Sequence, residues 1–257
     1  MWWFGRSARR ARMLRRSPID PAVWTTLLRE IPVLHGLDAD EARQLHDATV
    51  VLTQEIDWVG CGGFTVGDTE RVTMAAQAAL LTLGLGVDAL SSVGTVLVYP
   101  AGFRTRAHRE DELGVVHEGG EDLLGEAWYD GPVVLNWEDV ADVAPGEPFN
   151  LVLHECAHKL DMLDGYEDGI PPLHRGMDRD AWARDFAAAR RELARLEADG
   201  HEPAIDPYAA EDEAEGFAVF TETFFTAPDL LQVAFPRVYD HLKAFYRQDP
   251  VRRLAGP

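Results

Sequence analysis

The chain has 257 residues, of which 46% are hydrophobic and 26% charged, with 22 Gly and 15 Pro. This composition excludes disordered, collagen-like and coiled-coil architectures, and the length suffices for a substantial core. Its 24 basic and 44 acidic residues leave a formal net charge of −20, which argues against direct binding of nucleic acid, since neutralising phosphates requires a basic face.

The first 19 residues stand apart, carrying six arginines (Arg6, Arg9, Arg10, Arg12, Arg15, Arg16) and no acid, so residues 20–257 hold 18 basic and 44 acidic groups, a net of −26. Met1-Trp2-Trp3-Phe4-Gly5 precedes the arginines, the reverse of the order in a secretory signal. The sequence therefore predicts a flexible basic tail over 1–19, followed by one domain over 20–257. That domain divides into a helical scaffold portion, 20–92, and a catalytic portion, 93–257.

Asp20-Pro21 opens a predicted helix toward Leu28, and Asp38 caps another from about Asp40 to Leu52. The glycine-dense stretch Trp58 to Phe64 lacks the trailing Gly-Lys-Ser/Thr of a phosphate loop and reads as a turn. Asp68 begins a helix expected to reach Leu85 and to be largely buried. The apolar run Ala75 to Leu90 is interrupted by Gln77, Thr82, Gly84, Gly86 and Asp88, short of the ~20 residues of a membrane span.

Short apolar or alternating runs then predict strands at Thr95–Tyr99, Leu113–His117, Leu124–Trp128 and Val133–Asn136, with Asp130-Gly131 marking a hairpin between the last two. Helical patterns return at 149–163, 180–198, 211–225 and 236–246. Helices, a small sheet and more helices make an α+β fold. The two cysteines, Cys61 and Cys156, are too few for a disulfide scaffold and fit a cytoplasmic setting.

The chemistry concentrates in Leu151-Val152-Leu153-His154-Glu155-Cys156-Ala157-His158-Lys159-Leu160-Asp161. His154 and His158 are four residues apart, which places both imidazoles on one helix face where they can share a metal ion. Glu155 is displaced around the helix, suited to take a proton from metal-bound water without being a ligand. Buried imidazoles and a carboxylate in an apolar run are costly unless something satisfies them, and a metal does so.

Catalytic zinc takes three protein ligands, so a third is required. A metzincin spacing would use Asp164, but Asp161 stands where that pattern needs glycine. A gluzincin arrangement takes a Glu from a separate downstream helix. Glu215, enclosed by Ala214, Phe217, Ala218 and Val219, suits that role better than Glu211 or Glu213 near the helix start. Glu222, seven residues on, is the runner-up ligand or a group behind one. Asp161 either orients a ligand imidazole or is solvated, and Cys156 is expected to face the core rather than act as a nucleophile.

His-Glu-x-Ala-His-Lys-Leu-Asp, followed by Ile205-Asp206-Pro207-Tyr208-Ala209-Ala210 and Ala214-Glu215-Gly216-Phe217-Ala218-Val219, resembles the Mlc titration factor A family. Gly131 to Trp137 and Phe245 to Pro250 match as well. Cys156 and Gly216 stand at positions the family varies, and the arginine-rich start has no counterpart in this comparison. The resemblance implies a zincin-like metallopeptidase domain of the gluzincin class with aminopeptidase-like activity. It also implies Zn2+ held by His154, His158 and Glu215, with Glu155 as catalytic base. It further points to His117 as an additional metal contact, which its local sequence does not mark. Tyr208, in the turn before the Glu215 helix, is placed to donate a hydrogen bond to an oxyanion, or else packs.

Two functions remain in competition. The first is a cytoplasmic zinc peptidase acting on short peptides, which could also bind a sugar-responsive repressor of the Mlc type. The second is a non-catalytic protein that titrates a transcription regulator, with a structural or regulatory metal. Three ligands, a free Glu155 and an open coordination position favour the first.

Overall fold

The computed structural model describes residues 2–101, 131–142 and 148–255, and no side chain before Arg6. The expected strands Leu113–His117 and Leu124–Trp128, the Asp130 arm of the hairpin, and His117 lie outside the described residues.

Each early helix begins where the sequence supplies a cap. Helix α1 spans Trp2–Arg15 and α2 spans Pro21–Glu30, where the Asp20 side chain accepts from the Ala22 N–H and Pro21 occupies the first turn. Asp38 and Glu41 close a reciprocal capping box at the start of α3, Ala39–Glu55, satisfying amides that would otherwise lack acceptors. The flexible tail expected over 1–19 is thus corrected: its first 15 residues include α1. Met13 is buried, and Arg6 and Arg10 are ion-paired to Glu55 and Asp88. Arginines are good helix formers, and two at i and i+4 reach the same carboxylates.

The turn expected from Trp58 to Phe64 is also corrected. Asp57–Gly60 is strand β1, and the chain turns only after Gly60. Helix α4 spans Asp68–Leu81 and ends four residues before the expected Leu85. The Thr82 hydroxyl turns back onto the Ala79 carbonyl. Gly84 then passes so close to the end of the chain's last long helix that a Cβ there would lie 2.0 Å from the Tyr246 carbonyl oxygen.

Among the described residues, strands β2 (Thr95–Tyr99) and β3 (Val133–Asn136) join β1 in a three-stranded sheet in the order β1-β2-β3, parallel throughout, with Asp57 opposite Thr95 and Val96 opposite Val133. Parallel neighbours need crossovers, and α4 lies within the first of them. One hydrophobic cluster runs from Met13 through α3, α4 and the sheet to Tyr246, so the core is continuous across position 92.

After the short α5 (Trp137–Ala141) come α6 (Leu151–Asp161), α7 (Arg179–Ala198), α8 (Glu213–Thr226), α9 (Pro228–Ala234), α10 (Pro236–Tyr246) and α11 (Pro250–Leu254). α8 is buried on nearly every side, from Gly216 to Phe225, as expected of a helix at the centre of a fold. Around it Trp182 stacks on Phe186 at 4.4 Å, Phe220 meets Phe186 and Phe245 meets Phe217 and Tyr246 edge to face, and Phe224 lies tilted against Tyr239 and stacked on Tyr246. This aromatic packing fixes α8 against α7 and α10, and α8 in turn packs directly against α6; α6 and α8 carry the candidate site. The described architecture is α+β.

Candidate metal centre

α6 begins at Asn150, whose side-chain oxygen accepts from the Leu153 N–H. Its amide nitrogen donates to Gln77 Oε1 of α4 at 2.6 Å, and its backbone N–H donates to Glu222 Oε1 of α8 at 2.9 Å. One residue therefore ties the start of the His-bearing helix to two others. Nothing in its spacing marked Asn150 or Gln77 as supports. An Asn three residues before the first fully buried position was the available sign of a cap.

The four-residue spacing on α6 brings the Nε2 atoms of His154 and His158 to 3.2 Å from each other. Glu215, from the first turn of α8, sets Oε2 at 3.2 Å from Nε2 of His154 and 3.6 Å from Nε2 of His158. Although close, Glu215 Oε2 is buried without a hydrogen bond of acceptable geometry among the described residues. Three lone-pair-bearing atoms aimed at one point leave one another unsatisfied unless a cation lies between them. Among the described residues these three form the cluster of His, Cys, Asp and Glu able to hold a metal ion.

Glu222 stands behind this group. Its Oε2 lies 3.2 Å from Nδ1 of His154, the nitrogen turned away from the cluster. That bond fixes the proton on Nδ1 and leaves Nε2 free to ligate. Glu222 is 3% exposed and occupies the supporting position of the two roles the sequence allowed. Among the described residues His158 has no such support: Nδ1 is buried without a hydrogen bond there, with Glu167 Oε1 at 3.7 Å.

Electrostatics follow the geometry. Burial works against a charged His154, but Glu222 and Glu215 outweigh it and hold its pKa well above the ordinary value. For Glu215 burial pulls upward, and the two imidazoles override it and lower the pKa. Both shifts record how strongly this pocket attracts positive charge. Glu155 behaves in the opposite way: burial raises its pKa, with the imidazoles only partly offsetting that. A carboxylate made more basic beside a cation site is suited to take up a proton.

Tyr208 sits in a single turn of helix, Pro207–Ala210, just before α8, and its ring stacks against His154 with centroids 6.5 Å apart. Burial and the neighbouring Glu215 raise its pKa, so the phenol keeps its proton.

Three other residues are placed away from the cluster. Asp164 lies in the exposed turn after α6, accepting from the Tyr166 N–H at 3.3 Å. Asp161 is fully buried rather than solvated and does not bond a ligand imidazole; its Oδ2 accepts from the Gly169 N–H at 2.8 Å. Cys156 faces the core, where burial pushes its thiol up to about 12, beyond use as a nucleophile.

The comparisons agree with this geometry. A protein named Mlc titration factor A from Serratia proteamaculans (strain 568) is 40% identical over 236 residues, covering 91% of this chain and 89% of the relative. Proteins of the same name from Yersinia pestis (strain Pestoides F) and Yersinia pseudotuberculosis (serotype O:1b) are each 39% identical, covering 91% of this chain and 87% of theirs. The family described as glucose-regulated metallo-peptidase M90 matches residues 5–247. The match takes in Arg6 to Arg16, so the basic start lies within the matched region, correcting the expectation that it has no counterpart there. With a half-buried His154–His158–Glu215 cluster and a match over nearly its whole length, the chain belongs to the glucose-regulated metallo-peptidase M90 family.

Proposed function

We propose that the protein is a zinc-dependent peptidase that hydrolyses short peptides in an aminopeptidase-like manner. The observation that carries this reading is the convergence of His154, His158 and Glu215 on one point while Glu155, on the same helix, stays outside the cluster with a raised pKa. Two imidazoles and one carboxylate fit zinc, and three protein ligands leave a position open, whereas a structural zinc is normally closed by four Cys or His ligands. When bound, zinc supplies a Lewis acid that polarises a peptide carbonyl and lowers the pKa of a coordinated water.

The remaining work falls to the chain. Glu222 keeps the Nδ1 proton of His154 in place. The Glu155 carboxylate accepts the proton of the attacking water and returns it to the leaving amine. The Tyr208 hydroxyl, protonated at neutral pH, donates a hydrogen bond to the carbonyl oxygen as negative charge develops on it. His117 belongs to the proposal only through the family resemblance.

The test is metal content together with turnover of chromogenic aminoacyl substrates. Glu155→Gln is expected to keep zinc and to lose turnover by about 100-fold or more. Glu215→Ala is expected to lose both. Zinc-loaded protein without turnover would overturn the catalytic reading.

The names of the relatives favour a second role, capture of a repressor of the Mlc type. An acidic body of this charge suits a protein partner better than DNA. Pull-down with Glu155→Gln separates the roles, because capture that survives the substitution does not depend on turnover. A cytoplasmic location is part of the same proposal. It is supported by two cysteines that are both free and, among the described residues, by the absence of a helix long and apolar enough to cross a membrane.

A further inference from the structure

The arginines of α1 fall into two sets. Arg6 and Arg10 are paired with carboxylates of the body, within 2.7 to 3.3 Å of Glu55 and Asp88, and with buried Met13 they fix how the helix is turned. Arg9, Arg12, Arg15 and Arg16 are exposed and meet no carboxylate within ion-pair distance among the described residues. That is unusual on a chain with 44 acidic and 24 basic residues, where a random surface arginine should find an acid nearby. Arg9, Arg12 and Arg16, together with Met13 and Gln54, line an open cleft of about 410 Å³. The helix starts at Trp2, and Trp2-Trp3-Phe4 form its first turn in sequence.

We propose that this flank of α1 is a docking surface for an anionic lipid bilayer. Unpaired arginines meet lipid phosphates as bidentate donors, and the cleft gives a headgroup phosphate a recess among three of them. In the sequence, Trp2, Trp3 and Phe4 directly precede the arginines, and tryptophan and phenylalanine beside basic residues are a composition that favours the membrane interface. Duplex nucleic acid is the weaker fit, because the aromatic turn adds nothing to a phosphate backbone and the net −26 of residues 20–257 repels a long polyanion. α1 does not cross the bilayer. Met13 and Leu14 are committed to the protein core, so the attraction is peripheral and salt-sensitive.

The test is co-sedimentation of the full chain with vesicles of phosphatidylcholine alone or mixed with phosphatidylglycerol. Binding is expected only to the mixed vesicles and is expected to fall steeply as salt is raised. Each arginine near an anionic surface contributes about fivefold, so joint Arg9→Glu, Arg12→Glu, Arg15→Glu and Arg16→Glu substitution should weaken binding at least ~100-fold while the thermal melt stays unchanged. If that variant does not fold, Arg12→Gln with Arg16→Gln removes two exposed charges and should still cost at least ~10-fold. Equal binding to neutral vesicles, retained binding by a folded variant, or no binding to mixed vesicles overturns the proposal. Displacement from mixed vesicles by a DNA duplex at equal phosphate concentration would assign the surface to nucleic acid instead.

Discussion

Glu222 and Asp161 show how differently two buried carboxylates near one centre can serve it. Glu222 accepts from both His154 and the Asn150 N–H, so Glu222→Ala removes the group that orients a ligand and strands a buried amide. Loss of such support typically costs 10- to 100-fold in metal affinity, and competition titration with a zinc chelator should show a loss in that range. If Glu222→Ala abolished zinc binding while Glu215→Ala kept it, the third-ligand assignment would be reversed. Asp161 acts on stability instead. Burial pushes its pKa up to about 7, from an ordinary 3.8. The folded state therefore holds this proton where the unfolded chain has released it. Stability is undiminished below about pH 4, falls as pH rises toward 7, and levels off above that. Asp161→Asn keeps an oxygen for the Gly169 N–H and removes the titration. In urea unfolding of the metal-free protein, the decline between about pH 4 and 8 should be shallower for Asp161→Asn than for the parent. Parallel declines would show that Asp161 does not titrate there.

At the scale of elements, the close seating of α8 rests on one missing side chain. A Cβ at Gly216 would lie 2.6 Å from Arg190 Cδ and 3.1 Å from the Ala209 carbonyl oxygen. Gly216→Ala therefore pushes Arg190 from its ion pair with Glu213 and crowds the turn that bears Tyr208. Alanine improves helix propensity by about 1 kcal/mol, whereas overpacking costs roughly 1–3 kcal/mol. The net expectation is a lower melting temperature, and a higher one would refute the crowding. Helices announced by caps and period, such as α3, α7 and α10, were legible to within a few residues. So were the His154–His158 pair and Glu215, since helical spacing and an apolar setting act over one turn. β1 was not legible, because four residues ending in a glycine carry little local preference and become a strand only by pairing with β2. The supports behind the site, Asn150 to Gln77 and Glu222 to His154, join residues 68 to 73 positions apart, and no local pattern reports such contacts.

Across the whole molecule, the basic start is where sequence reasoning went furthest astray. Composition alone suggested a solvated tail, since six arginines offer no core. What orders α1 is long-range: Glu55 and Asp88 lie 45 to 82 residues away, and Met13 finds a place in the common core. The charge asymmetry therefore belongs to a fixed surface with a definite direction.

Among the described residues the sheet draws one strand from before position 92 and two from after it, and Asn150 clasps Gln77 across the same divide. A fragment starting at Val93 would keep every proposed zinc ligand yet lose β1, α3 and α4. It would bare the flank of β2 as an unpaired ladder and expose half of the apolar interior to water. Such a fragment invites edge-to-edge association, so a minimal folded version of the proposed zinc site cannot be made by trimming this chain down to the part that bears its ligands.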